Sequence, residues 1–129
     1  MPSRHEDWLR QAKRDLEQAR YNARGEYYEW ACFSAQQAAE KAVKALYQKL
    51  GADAWGHSIH HMLKALPGDL TPEERLLERA KWLDRQYIPP RYPNSVAQGI
   101  PADYYGVEDA REAIEHADAI VRFCEDHIL

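Results

Sequence analysis

Apolar residues recur along this chain with the spacing of an α-helix, and no stretch shows the strict alternation of a β-strand. Four long segments and one short segment carry the helical pattern: residues 3–25, 27–50, 58–66, 71–87 and 108–128. The sequence therefore predicts an all-α fold, an antiparallel four-helix up-and-down bundle with one extra short helix. A length of 129 residues suits a single domain, residues 1–129, with one hydrophobic core.

Local signals mark where several of these helices begin and end. Ser3 and Glu6 have the spacing of a capping box, which predicts the start of the first helix. Thr71 followed by Pro72 predicts the start of the fourth, with the threonine as the cap and the proline at the first helical position. Pro89 is expected to end that helix, because proline cannot continue the backbone hydrogen bonding.

Charge and composition exclude several classes of protein. The net charge of −4 at pH 7 lacks the positive field of a duplex-DNA binder. No apolar run is long enough to span a bilayer, and the first residues lack the apolar core of a signal peptide. Cys32 and Cys124 lie in apolar stripes and cannot form a disulfide framework. We therefore expect a cytoplasmic protein that binds neither duplex DNA nor a membrane.

The clustered histidines do not make a convincing metal site. His57, His60 and His61 lie close together, and the first and last are four residues apart, which suits zinc. However, no His-Glu-x-x-His pattern or further ligand accompanies them, and the chain has no Gly-x-Ser-x-Gly motif for a nucleophilic serine. We predict no metal site, no cofactor and no catalytic residue.

The second helix carries a second face that needs to be covered. Trp30, Phe33, Gln37 and Lys44 lie nearly opposite its apolar stripe, within about 60° of one another at about 100° per residue. Large aromatic side chains on a polar face indicate a buried interface. The first three residues are predicted to form a homodimer interface, since most oligomers are twofold dimers. The alternative is that the fifth segment or the long loop covers them within one subunit.

The long irregular segment, residues 88–106, contains the best candidate for ligand binding. Arg91 lies among prolines and tyrosines, which restrict the backbone and offer flat rings. A guanidinium group binds phosphate through a planar fork, and tyrosine rings can stack on a base. The alternative is an arginine that pairs with a carboxylate and fastens the loop to the bundle. The predicted nucleotide- or phosphate-binding residues are Arg91, Tyr87, Tyr92, Asn94, Lys41 and Lys44.

Specific runs of residues connect the chain to a known family. The run from Gln36 to Lys44 and the triplet Arg91-Tyr92-Pro93 are the most specific, and residues 8–19, 57–59 and 83–94 also match. With these motifs the chain resembles the HEPN family, named for higher eukaryotes and prokaryotes nucleotide-binding. The resemblance implies a bundle similar to the C-terminal domain of kanamycin nucleotidyltransferase. It also implies dimerisation, and pairing with a separately encoded minimal nucleotidyltransferase in a two-gene, toxin–antitoxin-like module.

The same resemblance raises the question of ribonuclease activity. Many members of that family are metal-independent ribonucleases in which four to six residues stand between an arginine and the histidine that follows it. After Arg91 that window holds residues 96–98, and none is histidine. Two pairs elsewhere have the spacing: Arg111 with His116, and Arg122 with His127. Such a spacing turns two helical side chains about 140° apart. We therefore favour nucleotide or RNA binding, with a metal-independent endoribonuclease toxin and a ligand-free protein–protein interaction module as alternatives.

Overall fold

A computed structural model describes residues 3–129. Its α-helices are α1 (His5–Arg24), α2 (Tyr28–Lys49), α3 (Ile59–Lys64), α4 (Glu74–Asp84) and α5 (Val107–Ile128). These residues form no β-strand, and the predicted all-α bundle with one short extra helix is confirmed. None of the helices in the described part of the chain is long and apolar enough to cross a membrane.

α2 is the central helix of the bundle. It packs against α1 and α5 along most of its length, and it also touches α3, α4 and the turn at Pro89–Arg91. Small side chains along it let the neighbouring helices approach closely. The fully buried alanines are Ala31, Ala35, Ala38, Ala39, Ala42 and Ala45. Because neighbours cover α2 from several directions, the polar residues Gln36 and Glu40 are buried as well.

The hydroxyl groups predicted to cap two helices have other partners. Ser3 donates to the backbone carbonyl of Gln48 at 3.1 Å, so it does not form the predicted capping box with Glu6. Thr71 donates to the carbonyl of Pro67 at 3.4 Å, and α4 begins three residues after it without a side-chain cap. Both predictions are wrong. Each hydroxyl donates to a backbone carbonyl of another segment, Gln48 in α2 or Pro67 after α3, and neither helix has a side-chain cap.

α4 also ends earlier than predicted. It stops at Asp84, so Tyr87 lies in the irregular segment that follows and not on the helix stripe. That segment contains short 3-10 turns at Pro89–Arg91, Pro93–Ser95 and Pro101–Asp103. It is packed against the bundle, because the turn at Pro89–Arg91 contacts α2 and Tyr105, whose hydroxyl donates to Gln86 at 2.8 Å, lies against the hydrophobic core. Burial raises the pKa of Tyr105 to about 12.

The end of α4 holds the start of α3 in place. Gly56 turns the chain with a left-handed φ of 89°, a conformation that favours glycine. The Asp84 carboxylate then accepts hydrogen bonds from the backbone N–H of Ile59 at 2.7 Å and of His60 at 3.2 Å. The Ser58 hydroxyl donates to the same carboxylate at 3.1 Å. These contacts fix the position of the turn that contains His57.

Replacing Asp84 should therefore destabilise the protein. We expect Asp84→Ala to lower the free energy of unfolding by about 1–2 kcal/mol, because two helix-start N–H groups lose their acceptor. Urea unfolding followed by circular dichroism measures this loss. Asp84→Asn keeps an acceptor oxygen and should cost less, and Asp69→Ala at an exposed position serves as the control. A change for Asp84→Ala within about 0.5 kcal/mol of the wild type, as for an ordinary surface substitution, would contradict this assignment.

Candidate nucleotide-binding site

The guanidinium group of Arg91 is held by aromatic rings and one carbonyl. Its Nε donates to the backbone carbonyl of Tyr87 at 2.8 Å. The carbon atom Cζ lies 4.5 Å from the ring centre of Phe33, 4.7 Å from that of Tyr87 and 5.2 Å from that of Tyr92. Within residues 3–129 no carboxylate forms an ion pair with Arg91. The alternative of an arginine fastened to an acidic side chain is therefore not what the structure shows.

Tyr87 connects Arg91 to a histidine from another part of the chain. The imidazole of His57 stacks on the Tyr87 ring, with 4.2 Å between ring centres and 20° between the planes. The Tyr87 hydroxyl oxygen lies 3.0 Å from Nε2 of His57. The Tyr87 hydroxyl is thus a hydrogen-bond partner of Nε2, and its ring is the stacking partner of the imidazole.

A buried carboxylate anchors His57 from the other side. Glu40 is 5% exposed, and both of its oxygens lie 3.2 Å from Nδ1 of His57. Lys44 donates to the same carboxylate at 3.2 Å, and the side-chain amide of Gln36 donates to it at 3.0 Å. The charge of Glu40 is thus compensated, as a buried carboxylate requires. The cluster joins α2 to the turn before α3.

The other predicted binding residues differ in their exposure and in the groups that they contact. Tyr92 is exposed beside Arg91, and Asn94 is exposed in the turn that follows. Lys44 contributes to the Glu40 cluster described above. The ammonium group of Lys41 instead donates to Asp15 of α1 at 2.6 Å. The structure therefore brings Arg91, Tyr87 and Tyr92 together, directs Lys41 towards α1 and leaves Asn94 in solvent.

The predicted dimer residues lie along one side of this site. Phe33 is half-buried beneath Arg91 and packs edge-on against Trp30, with 6.1 Å between ring centres. Gln37 is half-buried and donates to Gln36 at 2.7 Å. Trp30 is 42% exposed and lines a groove of about 440 Å³ with the exposed Tyr27. The loop of the same subunit thus covers Phe33, whereas Trp30 stays accessible to a partner.

Neither arginine–histidine pair of α5 converges. Arg111 pairs with Glu108 at 2.9 Å and with Glu115 at 3.0 Å on the exposed side of the helix. His116 is buried, and its Nδ1 accepts a hydrogen bond from Arg79 of α4 at 2.9 Å. Burial lowers the pKa of His116. The second pair is divided in the same way, since Arg122 pairs with Asp118 and His127 packs against Phe123. The helical spacing predicts this separation correctly.

The cluster of Gln36, Glu40 and His57 has no role in the sequence-based prediction. A signal for part of it is present, because Gln36, Glu40 and Lys44 follow one another at intervals of four residues and so share one face of α2. Nothing in the sequence shows which loop covers that face. The contact between α2 and the turn at His57 spans 17 residues and appears only in the folded chain.

The fold and the site define a small helical bundle with an arginine held among aromatic rings beside its central helix, and comparisons with known proteins give its family. A model of the HEPN domain matches residues 5–127, and the chain belongs to the HEPN domain family. Among curated proteins it is 24% identical to "Putative toxin MJ1304" of Methanocaldococcus jannaschii, over 94% of this chain and 86% of that protein.

Solved structures of related proteins have the same fold. TT1696 from Thermus thermophilus is 45% identical with a TM-score of 0.94, over 98% of this chain and 99% of that one. ST0689, an archaeal HEPN homologue, is 47% identical with a TM-score of 0.83, over 98% of both chains. A HEPN domain protein, TM0613 of Thermotoga maritima, is 39% identical with a TM-score of 0.76, over 93% of this chain and 95% of that one.

Proposed function

We propose that this protein binds a nucleotide or an RNA phosphate at Arg91. The observation that carries the proposal is a guanidinium group that is fixed in position but not neutralised by a carboxylate of the described chain. Its Nε is occupied by the carbonyl of Tyr87, which leaves the terminal nitrogens to donate to an anion. A charge held in place before the ligand arrives loses little entropy on binding.

The neighbouring side chains have supporting roles in this proposal. Tyr92 offers an exposed ring for a base, and Tyr87 holds Arg91 in position from below. Asn94 is free to turn towards a ligand because it is exposed. Lys44 and Lys41 are paired with Glu40 and Asp15, so each would first have to leave its carboxylate to contact a ligand. The main contribution to binding therefore falls on Arg91.

The proposed biological role is that of a toxin-like HEPN protein in the cytoplasm, the companion of a minimal nucleotidyltransferase. Two observations support it. One is the likeness to a relative whose name describes a toxin, and the other is family membership over residues 5–127.

The homodimer interface in this proposal is the face formed by Trp30, Phe33 and Gln37. Exposed large aromatic side chains beside a groove are typical of interfaces, where tryptophan and tyrosine contribute much of the binding energy. Trp30 and Tyr27 meet that description. Phe33 and Gln37, already half-buried, would form the edge of the interface next to Arg91.

Removing the guanidinium group should weaken ligand binding. We expect Arg91→Gln to lower the affinity for AMP or a short RNA by about tenfold or more, because a charge-assisted hydrogen bond to phosphate is lost. Arg91→Lys should give an intermediate loss, since it keeps the charge but not the planar fork. Isothermal titration calorimetry measures the affinities, and circular dichroism checks that the variants fold.

Arg75→Gln is the matched control for this experiment, because Arg75 is an exposed arginine at the other end of α4. It should bind as the wild type does. If the wild type binds neither AMP, ATP nor short RNA, the protein is the ligand-free module. If it cleaves RNA in EDTA and Arg91→Gln abolishes cleavage, the protein is a metal-independent ribonuclease and simple binding is the wrong description.

Truncation of Trp30 should disrupt the homodimer. We expect Trp30→Ala to raise the dimer dissociation constant by about tenfold or more, because interface tryptophans commonly contribute about 2 kcal/mol or more. Light scattering over a concentration series measures the dissociation. Trp55→Ala is the control, since Trp55 is 85% exposed in the loop before α3. A monomeric wild type at micromolar concentration, or a dimer that Trp30→Ala leaves intact, is incompatible with this interface.

The nucleotidyltransferase partner can be tested by co-expression. We expect a small nucleotidyltransferase gene beside the gene for this protein, and we expect the two products to co-purify as a complex of defined stoichiometry. Size-exclusion chromatography with light scattering measures that stoichiometry. Separate elution of the two proteins at concentrations well above micromolar would rule out a stable module of the two.

A further inference from the structure

We infer that His116 is a pH-sensitive joint between α4 and α5, and that protonation of its Nδ1 breaks the contact that holds α4 at this point. The inference goes beyond the proposed function and does not depend on it, because it concerns the contact of Arg79 with His116 and not the Arg91 site. It arises from three features of the structure: a buried imidazole, an arginine that can only donate to it, and a second acceptor for that arginine nearby.

The partner of Nδ1 determines the charge of the imidazole. Arg79 of α4 lies with Nη1 2.9 Å from Nδ1 of His116 on α5. A guanidinium group has only donors, so Nδ1 must offer a lone pair and carry no proton. The proton of the neutral ring is therefore on Nε2, which donates to a carboxylate oxygen of Glu112 at 3.2 Å. The folded protein thus holds His116 as one neutral tautomer.

Burial strengthens this preference for the neutral ring. His116 is 8% exposed, and the ring of Trp82 from α4 packs on it with 5.1 Å between ring centres. Burial lowers the pKa of His116, and the guanidinium group of Arg79 lowers it as well, while the carboxylates of Glu112 and Glu115 act in the opposite direction. The balance leaves the pKa of the imidazole below the usual value of a histidine.

The other two helices that pack against α5 contribute groups that are compensated or neutral. α1 meets this part of α5 through the ion pair of Arg20 with Asp118 at 3.3 Å, in which the two charges compensate each other. On α2 the titratable group near Glu112 is the thiol of Cys32, and burial raises its pKa to about 12, so it carries no charge near neutral pH. The charge of the imidazole therefore depends on Arg79 and on the two carboxylates of its own helix.

Protonation of the ring has a defined structural consequence. A proton on Nδ1 points at a guanidinium group that has no acceptor, so the contact between Arg79 and His116 becomes repulsive and has to break. Arg79 can then turn to Glu115, because its Nη1 already lies 3.8 Å from Oε1 of that residue, while the charged imidazole keeps Glu112. The side chain of Glu115 is 53% exposed, so water screens this replacement link and α4 is held less firmly.

The expected consequence is a folded state that weakens in mild acid. Because burial lowers the pKa of His116 in the folded protein, the unfolded chain binds a proton at pH values where the folded chain resists it. Stability is therefore complete above the pKa of the unfolded chain and falls as the pH drops below it. A proton that only the unfolded chain binds raises the unfolding constant by at most about tenfold for each pH unit.

The first experiment compares stability across pH. Urea unfolding followed by circular dichroism between pH ~5 and ~8, the range in which histidines commonly titrate, is measured for the wild type, His116→Gln and His61→Gln. The last variant is the matched control, an exposed histidine on α3. The wild type and His61→Gln should lose stability towards acid more steeply than His116→Gln, whose amide can serve Arg79 and Glu112 without titrating. Equal pH dependence of the wild type and His116→Gln overturns the inference.

Hydrogen exchange shows whether the loosening is local. The protection factors of the α4 amides, relative to those of α1, should fall between pH ~7.5 and ~5.5 in the wild type and stay level in His116→Gln. Protection that falls equally in α1 and α4 means that the whole fold weakens together, and the joint between α4 and α5 is then the wrong description.

A measurement on the unchanged protein guards against a misfolded variant. Nuclear magnetic resonance follows the titration of the His116 imidazole, whose midpoint should lie at lower pH in the folded protein than in the urea-unfolded chain. Arg79→Gln should move the folded-state midpoint to higher pH, because an amide can accept a hydrogen bond from Nδ1–H. Arg75→Gln, an exposed arginine one turn earlier on α4, should leave it unchanged. A folded-state midpoint at or above that of the unfolded chain, or one that Arg79→Gln does not move, contradicts the proposed joint.

Discussion

The carboxylate of Glu40 in the interior of α2 is the constraint around which this site is built. A charge that is 5% exposed is costly unless it is paired and hydrogen-bonded. Gln36, Lys44 and His57 supply those contacts, and the last of them comes from a loop outside α2. Removing one partner of a buried pair typically costs about 3–5 kcal/mol, because the remaining charge is left uncompensated. Glu40 therefore ties the position of the loop at His57 to the stability of the central helix.

The small side chains of α2 explain why that helix can have so many neighbours. Its buried alanines allow α1 and α5 to pack against it closely, and this leaves a further face for α3, α4 and the turn at Pro89–Arg91. Larger residues on every face would keep these elements apart. On the remaining face Phe33 supports Arg91 and Glu40 contacts His57, so one helix positions both side chains. The packing of the bundle and the arrangement of the candidate site thus depend on the same element.

The sequence predicts the fold well because helical periodicity is a local signal. Each long stripe, such as that from Ala31 to Leu46, can be recognised without its neighbours. Helix ends are predicted less well, since the hydroxyl groups of Ser3 and Thr71 bind carbonyls of other elements. For the site, the sequence points to Arg91 because prolines and tyrosines surround it. The sequence does not single out His57 and Glu40, because they come together only through a contact between α2 and a turn that is distant in the sequence.

The residues of the candidate site are spread along the chain, from Phe33 and Glu40 through His57 to Tyr87 and Arg91. Phe33 therefore acquires its partner at Arg91 only after 58 further residues have been added, and α5 still has to be synthesised to complete the bundle. During translation, an emerging chain lacks this arrangement until most of the protein has left the ribosome. The candidate site is therefore a property of the finished molecule, and no early fragment possesses it.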